Sequence, residues 1–278
     1  MPPAKDADIA NYYDANTGKF LRFGGSGDMA AIHRAIWAPG VSSREQAFQY
    51  LNERVAEFVQ PLAERFPDTL RVLDLGCGVG GTATWLYYRL GVDVLGISIS
   101  ESQIRLANER AQRSGCGDHV TFVSGSFESF TTPEKYHAAC AIESFVHCQH
   151  PGQFLNMARD ALLPGGRLVI CDDFVDSNLP PEANVWIQQF RRGWQINQLP
   201  SREELLALAG EAGFRLVETI DLSAYTRSFP KVLLFILSYL TRLPLPGSYW
   251  QNLAGGTALQ VCLQRSYTRY HVIVLERI

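Results

Sequence analysis

From residue 70 to the end of the chain, short apolar runs alternate with longer segments whose apolar residues recur at helical spacing. Short apolar runs predict β-strands, and helical spacing of apolar residues predicts amphipathic helices. The predicted strands are 71–75, 93–97, 120–124, 137–142, 167–172, 215–220 and 271–277. The predicted helices between them are 81–90, 101–114, 152–162 and 201–212. This alternation predicts an α/β fold, with a parallel sheet covered by helices on both faces.

The N-terminal part of the chain has a different pattern. Residues 9–60 carry polar and apolar positions at helical spacing throughout. The run Ser42-Ser43-Arg44-Glu45 predicts the capped start of a helix that reaches about residue 60. We therefore expect an N-terminal helical cap at 1–60, attached to an α/β domain at 61–278.

Two later segments interrupt the alternation and predict lid insertions at about 177–200 and 225–256. The first begins with a proline pair and continues into an aromatic, arginine-bearing helix at 185–194. The second contains the apolar run 232–240, which predicts a buried helix, with the wall of a substrate pocket or a subunit interface as alternatives. This run is too short to span a bilayer, so we expect no membrane insertion.

Residues 72–81 carry the strongest signal for a ligand, because an apolar strand runs directly into a glycine-rich turn and then a helix. Leaving out the Cβ at Gly76 and Gly78 lets backbone N–H groups approach a nucleotide-like cofactor. Together with Gly81 these residues also fit the dinucleotide pattern G-x-G-x-x-G. Asp74 favours a cationic cofactor instead, since its carboxylate would repel a pyrophosphate. S-adenosylmethionine carries an ammonium and a sulfonium, so it is the expected cofactor.

Composition narrows the function classes. The chain has 278 residues, 46% of them hydrophobic, which suits one large α/β domain with additions. A formal net charge of −3 and no long basic run argue against nucleic acid as a partner. The six cysteines form no Cys-x-x-Cys pair, and the first residues lack the apolar core of a secretory signal, so we expect a cytoplasmic protein. We expect no metal site, and the second insertion is compatible with a homo-oligomer.

Three motifs in order resemble class I S-adenosylmethionine-dependent methyltransferases. They are Val72-Leu-Asp-Leu-Gly-Cys-Gly-Val-Gly80, Gly96-Ile-Ser-Ile-Ser-Glu-Ser-Gln103 and Leu163-Pro-Gly-Gly-Arg-Leu168. The resemblance covers roughly residues 60–177. It implies a Rossmann-like, seven-stranded sheet with its last strand antiparallel.

The second of these motifs is similar to that of cyclopropane-fatty-acid synthases and tocopherol methyltransferases. Most class I members have an acidic residue that binds ribose where this chain has Ser98. The resemblance implies that Gln103 helps to hold the cofactor. After the third strand the chain reads Ser126-Phe127, which implies that backbone groups and packing on Phe127 hold the adenine.

Two further segments are similar to tocopherol and sterol C-methyltransferases. One runs from Tyr13-Asp14 to Ile32-His33-Arg34-Ala-Ile-Trp37, and the other is Ala141-Ile-Glu-Ser-Phe-Val-His147. The second segment implies that Glu143 lies at the carboxyl edge of the sheet and faces the methyl group. Enzymes that methylate prenyl diphosphates also resemble this layout.

The expected function is therefore C-methylation of a small isoprenoid in secondary metabolism. Attack by an alkene carbon leaves a carbocation, which Glu143 can stabilise and deprotonate, directly or through His147. Aromatic faces would add cation–π stabilisation, and arginines would suit a diphosphate on the substrate. The candidate substrate-binding residues are Tyr12, Tyr13, Arg22, His33, Arg34, Trp186, Phe190 and Arg191.

Several alternatives stay open at this point. The enzyme could be an O- or N-methyltransferase of a small natural product, in which a histidine or glutamate takes a proton from a heteroatom. A dinucleotide-dependent oxidoreductase would share the glycine loop. Glu143 could be a solvated loop carboxylate, His147 a structural histidine, and Arg191 part of a solvated helix face.

Overall fold

A computed structural model describes residues 4–23, 32–66, 70–241, 243 and 247–278, without the side chains of 19–23 and 248–249. The strands are β1 (Arg71–Leu75), β2 (Asp93–Ser98), β3 (Val120–Ser124), β4 (Tyr136–Ile142), β5 (Leu162–Val175), β6 (Phe214–Asp221) and β7 (Thr268–Arg277). The helices are α1 (Asp6–Phe23), α2 (Arg44–Val59), α3 (Leu62–Arg65), α4 (Gly81–Leu90), α5 (Glu101–Arg113), α6 (Pro151–Ala161), α7 (Ala183–Trp194), α8 (Arg202–Glu211), α9 (Lys231–Leu240) and α10 (Ser248–Gln264). The predicted alternation of strands and helices is confirmed.

The strands form a seven-stranded sheet in the order β3-β2-β1-β4-β5-β7-β6. Strand β7 is antiparallel to both β5 and β6, and the other recorded pairs are parallel. The α/β fold and the antiparallel last strand are as expected from the resemblance. Because the strand order reverses between β1 and β4, a crevice opens at their carboxyl ends, where ligands bind in open α/β sheets.

The largest difference from the predicted elements is in β5. Residues 163–166, which separate the predicted helix 152–162 from the predicted strand 167–172, lie inside this strand, which begins at Leu162. Pairing moves from Tyr136 with Leu162 to Ala138 with Arg167, so the extra residues of β5 form a bulge. Glycines adopt this conformation readily, and Gly165 has a positive φ of 77°. The glycines therefore mark a bulge within a strand rather than a turn between elements.

Helix α2 packs on the sheet rather than away from it. Its Leu51, Val55 and Val59 are fully buried in the same apolar cluster as Val72 of β1. Residues 32–43 before it are not helical, because the backbone of Trp37 donates to the carbonyl of Tyr225 (2.8 Å) and ties this segment to the loop after β6. The division into a cap at 1–60 and a domain at 61–278 stays a prediction.

The start of α2 has the predicted cap. The Ser43 side chain accepts from the backbone N–H of Gln46, and the Gln46 side chain accepts from the N–H of Ser43, which completes a capping box. We expect Ser43→Ala to lower the free energy of unfolding by about 1 kcal/mol in urea denaturation, because the backbone N–H of Gln46 loses its acceptor. Ser43→Asp keeps an acceptor and should stay close to wild type. Equal losses in both variants would show that the cap contributes nothing.

The second insertion contains α9 and part of α10, which pack with α7 in a separate apolar cluster. Helices α7 and α10 cross closely at two glycines. A Cβ on Gly193 would lie 2.4 Å from the Cα of Gly255, so neither position tolerates a larger residue. The expectation that the run 232–240 is a buried helix is wrong for one face, since Val232 and Phe235 are 73% and 63% exposed. No helix in the described ranges is long and apolar enough to cross a membrane.

Candidate active site

A cavity of about 440 Å³ opens at the carboxyl ends of β1, β2, β4 and β5. Most of the residues predicted from sequence to form the site line this one space. They are Tyr12, Tyr13, His33, Arg34, Asp74, Gly76, Gly78, Ser98, Gln103, Ser126, Phe127, Glu143, His147 and Phe190. The glycine loop, the segment after β4, and residues of α1 and α7 therefore all line the same cavity.

The glycine loop connects β1 to α4. Gly76 has a φ of 84°, and a Cβ there would lie 2.3 Å from the Cβ of Ser144. The backbone N–H groups of Gly76 and Cys77 both donate to the carbonyl of Ile97 at 2.9 Å, which fixes the turn. Only glycine fits at position 76. Any side chain would clash with Ser144, and a residue other than glycine would be strained at this positive φ.

Asp74 is the acidic residue at the end of β1. It is 2% exposed, its Oδ1 lies 3.7 Å from the Cys140 thiol, and its Oδ2 has no hydrogen-bond partner in the described part of the chain. Burial raises the pKa of Asp74 to about 7. A buried carboxylate oxygen without a partner, on the wall of the cavity, suits a cationic ligand such as the amino acid part of S-adenosylmethionine.

Ser98 and Gln103 form a chain of hydrogen bonds that reaches α1. Ser98 Oγ donates to Gln103 Oε1 at 2.9 Å, and Gln103 Nε2 donates to Thr17 Oγ1 at 3.1 Å. Asp14 of α1 also accepts from Ser100 Oγ at 2.5 Å. The amide of Gln103 therefore attaches α1 to the cofactor side of the cavity. Asp14 and Thr17 were not predicted as site residues, since helix docking has no local sequence signal.

Glu143 follows β4 directly, one residue before Ser144, which packs against the glycine loop. Its Oε1 accepts three hydrogen bonds, from the backbone N of Arg34 (3.0 Å), the Nε of Arg34 (2.9 Å) and the hydroxyl of Tyr270 (3.0 Å). Its backbone is left-handed, with a φ of 50°. Such strain in a non-glycine residue persists only where the surroundings hold it, and it is concentrated at functional sites. Glu143 is thus not the solvated carboxylate of the alternative reading.

The Arg34 guanidinium joins Glu143 to the end of β5. Its Nη1 and Nη2 donate to the two carboxylate oxygens of Asp173 at 3.1 and 2.5 Å. Asp172, next in the chain, accepts from the backbone N of Val146 at 3.1 Å, and its burial raises its pKa well above the usual range. Two carboxyl groups, Glu143 and Asp173, therefore share one guanidinium on this wall. Tyr270 was missed from sequence, because it lies on β7, far along the chain.

His147 lies on a short 3₁₀ helix at Phe145–His147. Its Nδ1 is 3.1 Å from the carbonyl of Gln195 and its Nε2 is 2.8 Å from the hydroxyl of Tyr13. Because a carbonyl only accepts, these partners assign the proton to Nδ1 and leave Nε2 to accept from Tyr13. Burial lowers the pKa of His147, so the ring is neutral near pH 7.

The arginines expected to suit a diphosphate do not converge over the site among the described side chains. Arg191 is turned away and donates from Nη2 to the carbonyl of Asn197 at 2.5 Å, beyond the end of α7. Trp186 is 7% exposed and packs in the cluster between α7 and α10, outside the cavity. The side chain of Arg22 lies outside the described residues. Arg34 is the one lysine or arginine among the described lining residues, and two carboxylates occupy it.

The histidine predicted beside Arg34 is enclosed. His33 is 8% exposed, its Nδ1 lies 3.3 Å from the carbonyl of Arg34, and its Nε2 has no partner in the described structure. Burial lowers its pKa. No group of three or more His, Cys, Asp or Glu in the described ranges could hold a metal ion.

Comparisons with known proteins agree with this geometry. Residues 45–219 match the methyltransferase domain family. Methyltransferase GfsG from Streptomyces halstedii is 30% identical over 82% of this chain and 80% of its own length. The O-methyltransferase rstn1 from Aspergillus nomiae is 30% identical over 69% of this chain and 83% of its own. The structure of geranyl diphosphate C-methyltransferase from Streptomyces coelicolor A3(2) superposes with a TM-score of 0.67 at 20% identity, covering 99% of this chain and 100% of that one.

The family match covers more than half of the chain, and the structural match extends over nearly all of it. The resemblance stated from the three motifs is confirmed, and the oxidoreductase alternative is not. The expected cofactor, S-adenosylmethionine, is confirmed as well. This chain belongs to the methyltransferase domain family and is an S-adenosylmethionine-dependent methyltransferase.

Proposed function

We propose that this enzyme methylates an alkene carbon of a small isoprenoid, and that the part of the substrate entering the cavity is uncharged. The observation that carries the proposal is the acidic wall, in which Glu143 and Asp173 both pair with the single guanidinium of Arg34. A wall with this charge balance favours a developing cation and repels a diphosphate. The similarity to a geranyl diphosphate C-methyltransferase supports an isoprenoid skeleton.

The residues of this chain divide the work between two sides of the cavity. Asp74 and the glycine loop hold the methyl donor, which supplies an electrophilic carbon on sulfur. When the alkene attacks, a C–C bond forms, the S–CH₃ bond breaks with its electrons moving to sulfur, and a carbocation remains on the substrate. Glu143 stabilises this charge and then accepts the proton whose loss restores an alkene. Tyr12, Phe190 and Trp194 supply ring faces and exclude water.

Methyl transfer from donor carrying a trideuterated methyl group tests this proposal. The enzyme is incubated with a panel of isoprenoid alkenes and their alcohols, and NMR of the product locates the label. We expect the label on carbon, with one substrate hydrogen lost. A label on oxygen or nitrogen would contradict the proposal.

O-Methylation of a hydroxyl is a second candidate, favoured by the pair His147 and Tyr13. The neutral ring holds its Nε2 against the hydroxyl of Tyr13, 2.8 Å away, and both residues line the cavity. A substrate hydroxyl taking the place of the tyrosine hydroxyl could pass its proton to Nε2 as the methyl group transfers. Similarity to an O-methyltransferase supports this candidate. In the experiment above it predicts that the label is found on oxygen.

A further inference from the structure

The outward face of α9 is unusual for a protein surface. One side of this helix packs inward through Leu234 and Ser238, which are 4% and 9% exposed. The other side carries Val232, Phe235 and Tyr239, and these are more than half exposed. Eight of the fourteen exposed large apolar side chains in the described part of the chain lie at 229–243. A helix that is apolar on every side is normally enclosed, so something covers this face in use.

Along the sequence, the charged residues on both sides of this face have one sign. Between Asp221 and Glu276 the sequence contains no aspartate or glutamate, although the whole chain has 28 acidic residues. The same stretch carries Arg227, Lys231, Arg242, Arg265 and Arg269. Arg269 pairs with Asp176 and Asp221, but neither Lys231 nor Arg265 forms an ion pair with any described residue. The surface that covers α9 should therefore offer an apolar layer for these side chains and negative charge for the basic residues.

The position of α9 relates it to the active site. Phe229, just before the helix, and Leu263 of α10 line a second cavity of about 570 Å³. Four residues line both this second cavity and the active-site cavity of about 440 Å³, namely Arg34, Trp194, Asn252 and Leu253. A ligand released from the surface that covers α9 could therefore enter the second cavity. From there it would reach the first cavity, which Glu143 and His147 line.

We propose that the outward face of α9 docks on the surface of an anionic lipid bilayer. Its apolar side chains would enter the boundary between headgroups and acyl chains, while the ammonium group of Lys231, at the first residue of the helix, meets lipid phosphates. The rings of Phe235 and Tyr239 have centroids 5.0 Å apart. Tyr239 suits this boundary because its ring is apolar and its hydroxyl is polar, and Phe235 adds apolar area beside it. Ten residues cannot span the bilayer, so the helix lies on it.

A second copy of this chain fits the same face less well. In a two-fold dimer the same patch meets itself, so Lys231 would approach its own counterpart. Like charges at close range oppose such contact, and no acidic residue of the stretch 222–275 can offset them. An anionic bilayer instead supplies the opposite charge.

Co-sedimentation of the full-length protein with vesicles tests the proposal. Vesicles of phosphatidylcholine alone are compared with vesicles that also contain phosphatidylglycerol. We expect binding to the anionic vesicles and little to the neutral ones. Lys231→Gln should weaken binding about fivefold, because one cation is lost. Phe235→Gln with Ile236→Gln should weaken it at least about tenfold, because two apolar side chains leave the interface.

Leu216→Gln is the matched control, since Leu216 is a 47% exposed leucine on β6. It should bind vesicles as wild type does. The α9 variants change exposed side chains, and circular dichroism together with S-adenosylhomocysteine binding shows whether they fold. Equal binding to neutral and anionic vesicles, or equal losses in the control and the α9 variants, would overturn the proposal. It would also fail if the wild type bound no vesicles and formed a dimer in sedimentation velocity that the double variant dissociates.

Discussion

Glu143→Gln is expected to lower the rate of methyl transfer about 10²–10⁴-fold, with the affinity for S-adenosylhomocysteine kept within a few-fold of wild type. Glutamine retains an Oε1 that can accept from Arg34 and Tyr270, so the three hydrogen bonds at this atom can persist. What disappears is the negative charge and the proton acceptor that the proposed mechanism requires. Single-turnover kinetics measures the rate, and calorimetric titration measures the affinity.

Asp173→Asn tests whether Glu143 acts through its charge at the reacting carbon or only through its contact with Arg34. This variant disturbs the two contacts of Asp173 with the guanidinium but leaves Glu143 intact. If Glu143 acts on the substrate, the Asp173 variant should retain much more activity than Glu143→Gln. Equal losses in both, with raised KM, would mean that Glu143 only holds the segment that carries Arg34. A rate within about fivefold of wild type in Glu143→Gln would rule out carboxylate catalysis.

Asp74→Asn is expected to weaken S-adenosylhomocysteine binding about 10–100-fold and yet to stabilise the protein without cofactor above pH 7. The pKa of Asp74 rises from its ordinary 3.8 in the unfolded chain to about 7 in the folded one. Folding therefore favours the protonated form, and stability falls as pH rises across that window. The loss amounts to about 4 kcal/mol at most, and asparagine removes it.

Urea denaturation of the cofactor-free proteins at pH 5 and pH 8 checks the stability half of this prediction. Wild type should lose stability between the two pH values, and Asp74→Asn should lose less. Calorimetric titration at pH 8 checks the affinity half. Parallel pH profiles in the two proteins would show that Asp74 does not titrate in this window, and unchanged affinity would show that its orphaned oxygen does not face the cofactor.

Local patterns predicted the parts of this molecule that local interactions determine. Strand β1 and helix α4 have the predicted bounds, because a buried strand, a glycine turn and a helix start are all written in adjacent residues. Arg191 was misplaced for a related reason. The carbonyls beyond the end of α7 need donors, and a nearby arginine satisfies them before it can reach a ligand. Sequence spacing does not show that competition.

The acidic wall could be predicted only in part. Glu143 was found through its place after β4, and Arg34 as a candidate for the substrate pocket. Their mutual contact, and the addition of Asp173 and Tyr270, depend on strand order and register across the sheet. The exposed face of α9 could not be predicted from sequence. An apolar run has the same pattern whether another element of the chain or an external surface covers it.

The contacts of Arg34 also bear on how the chain folds. They join residues 109 and 139 positions apart, and Glu143 reaches Tyr270 across a further 127. Closing such long loops costs entropy that only the assembled sheet can offset, so these contacts form late. During refolding, helical and sheet signals should therefore return before methyl transfer does, because the substrate side of the site is completed by the last segments to meet.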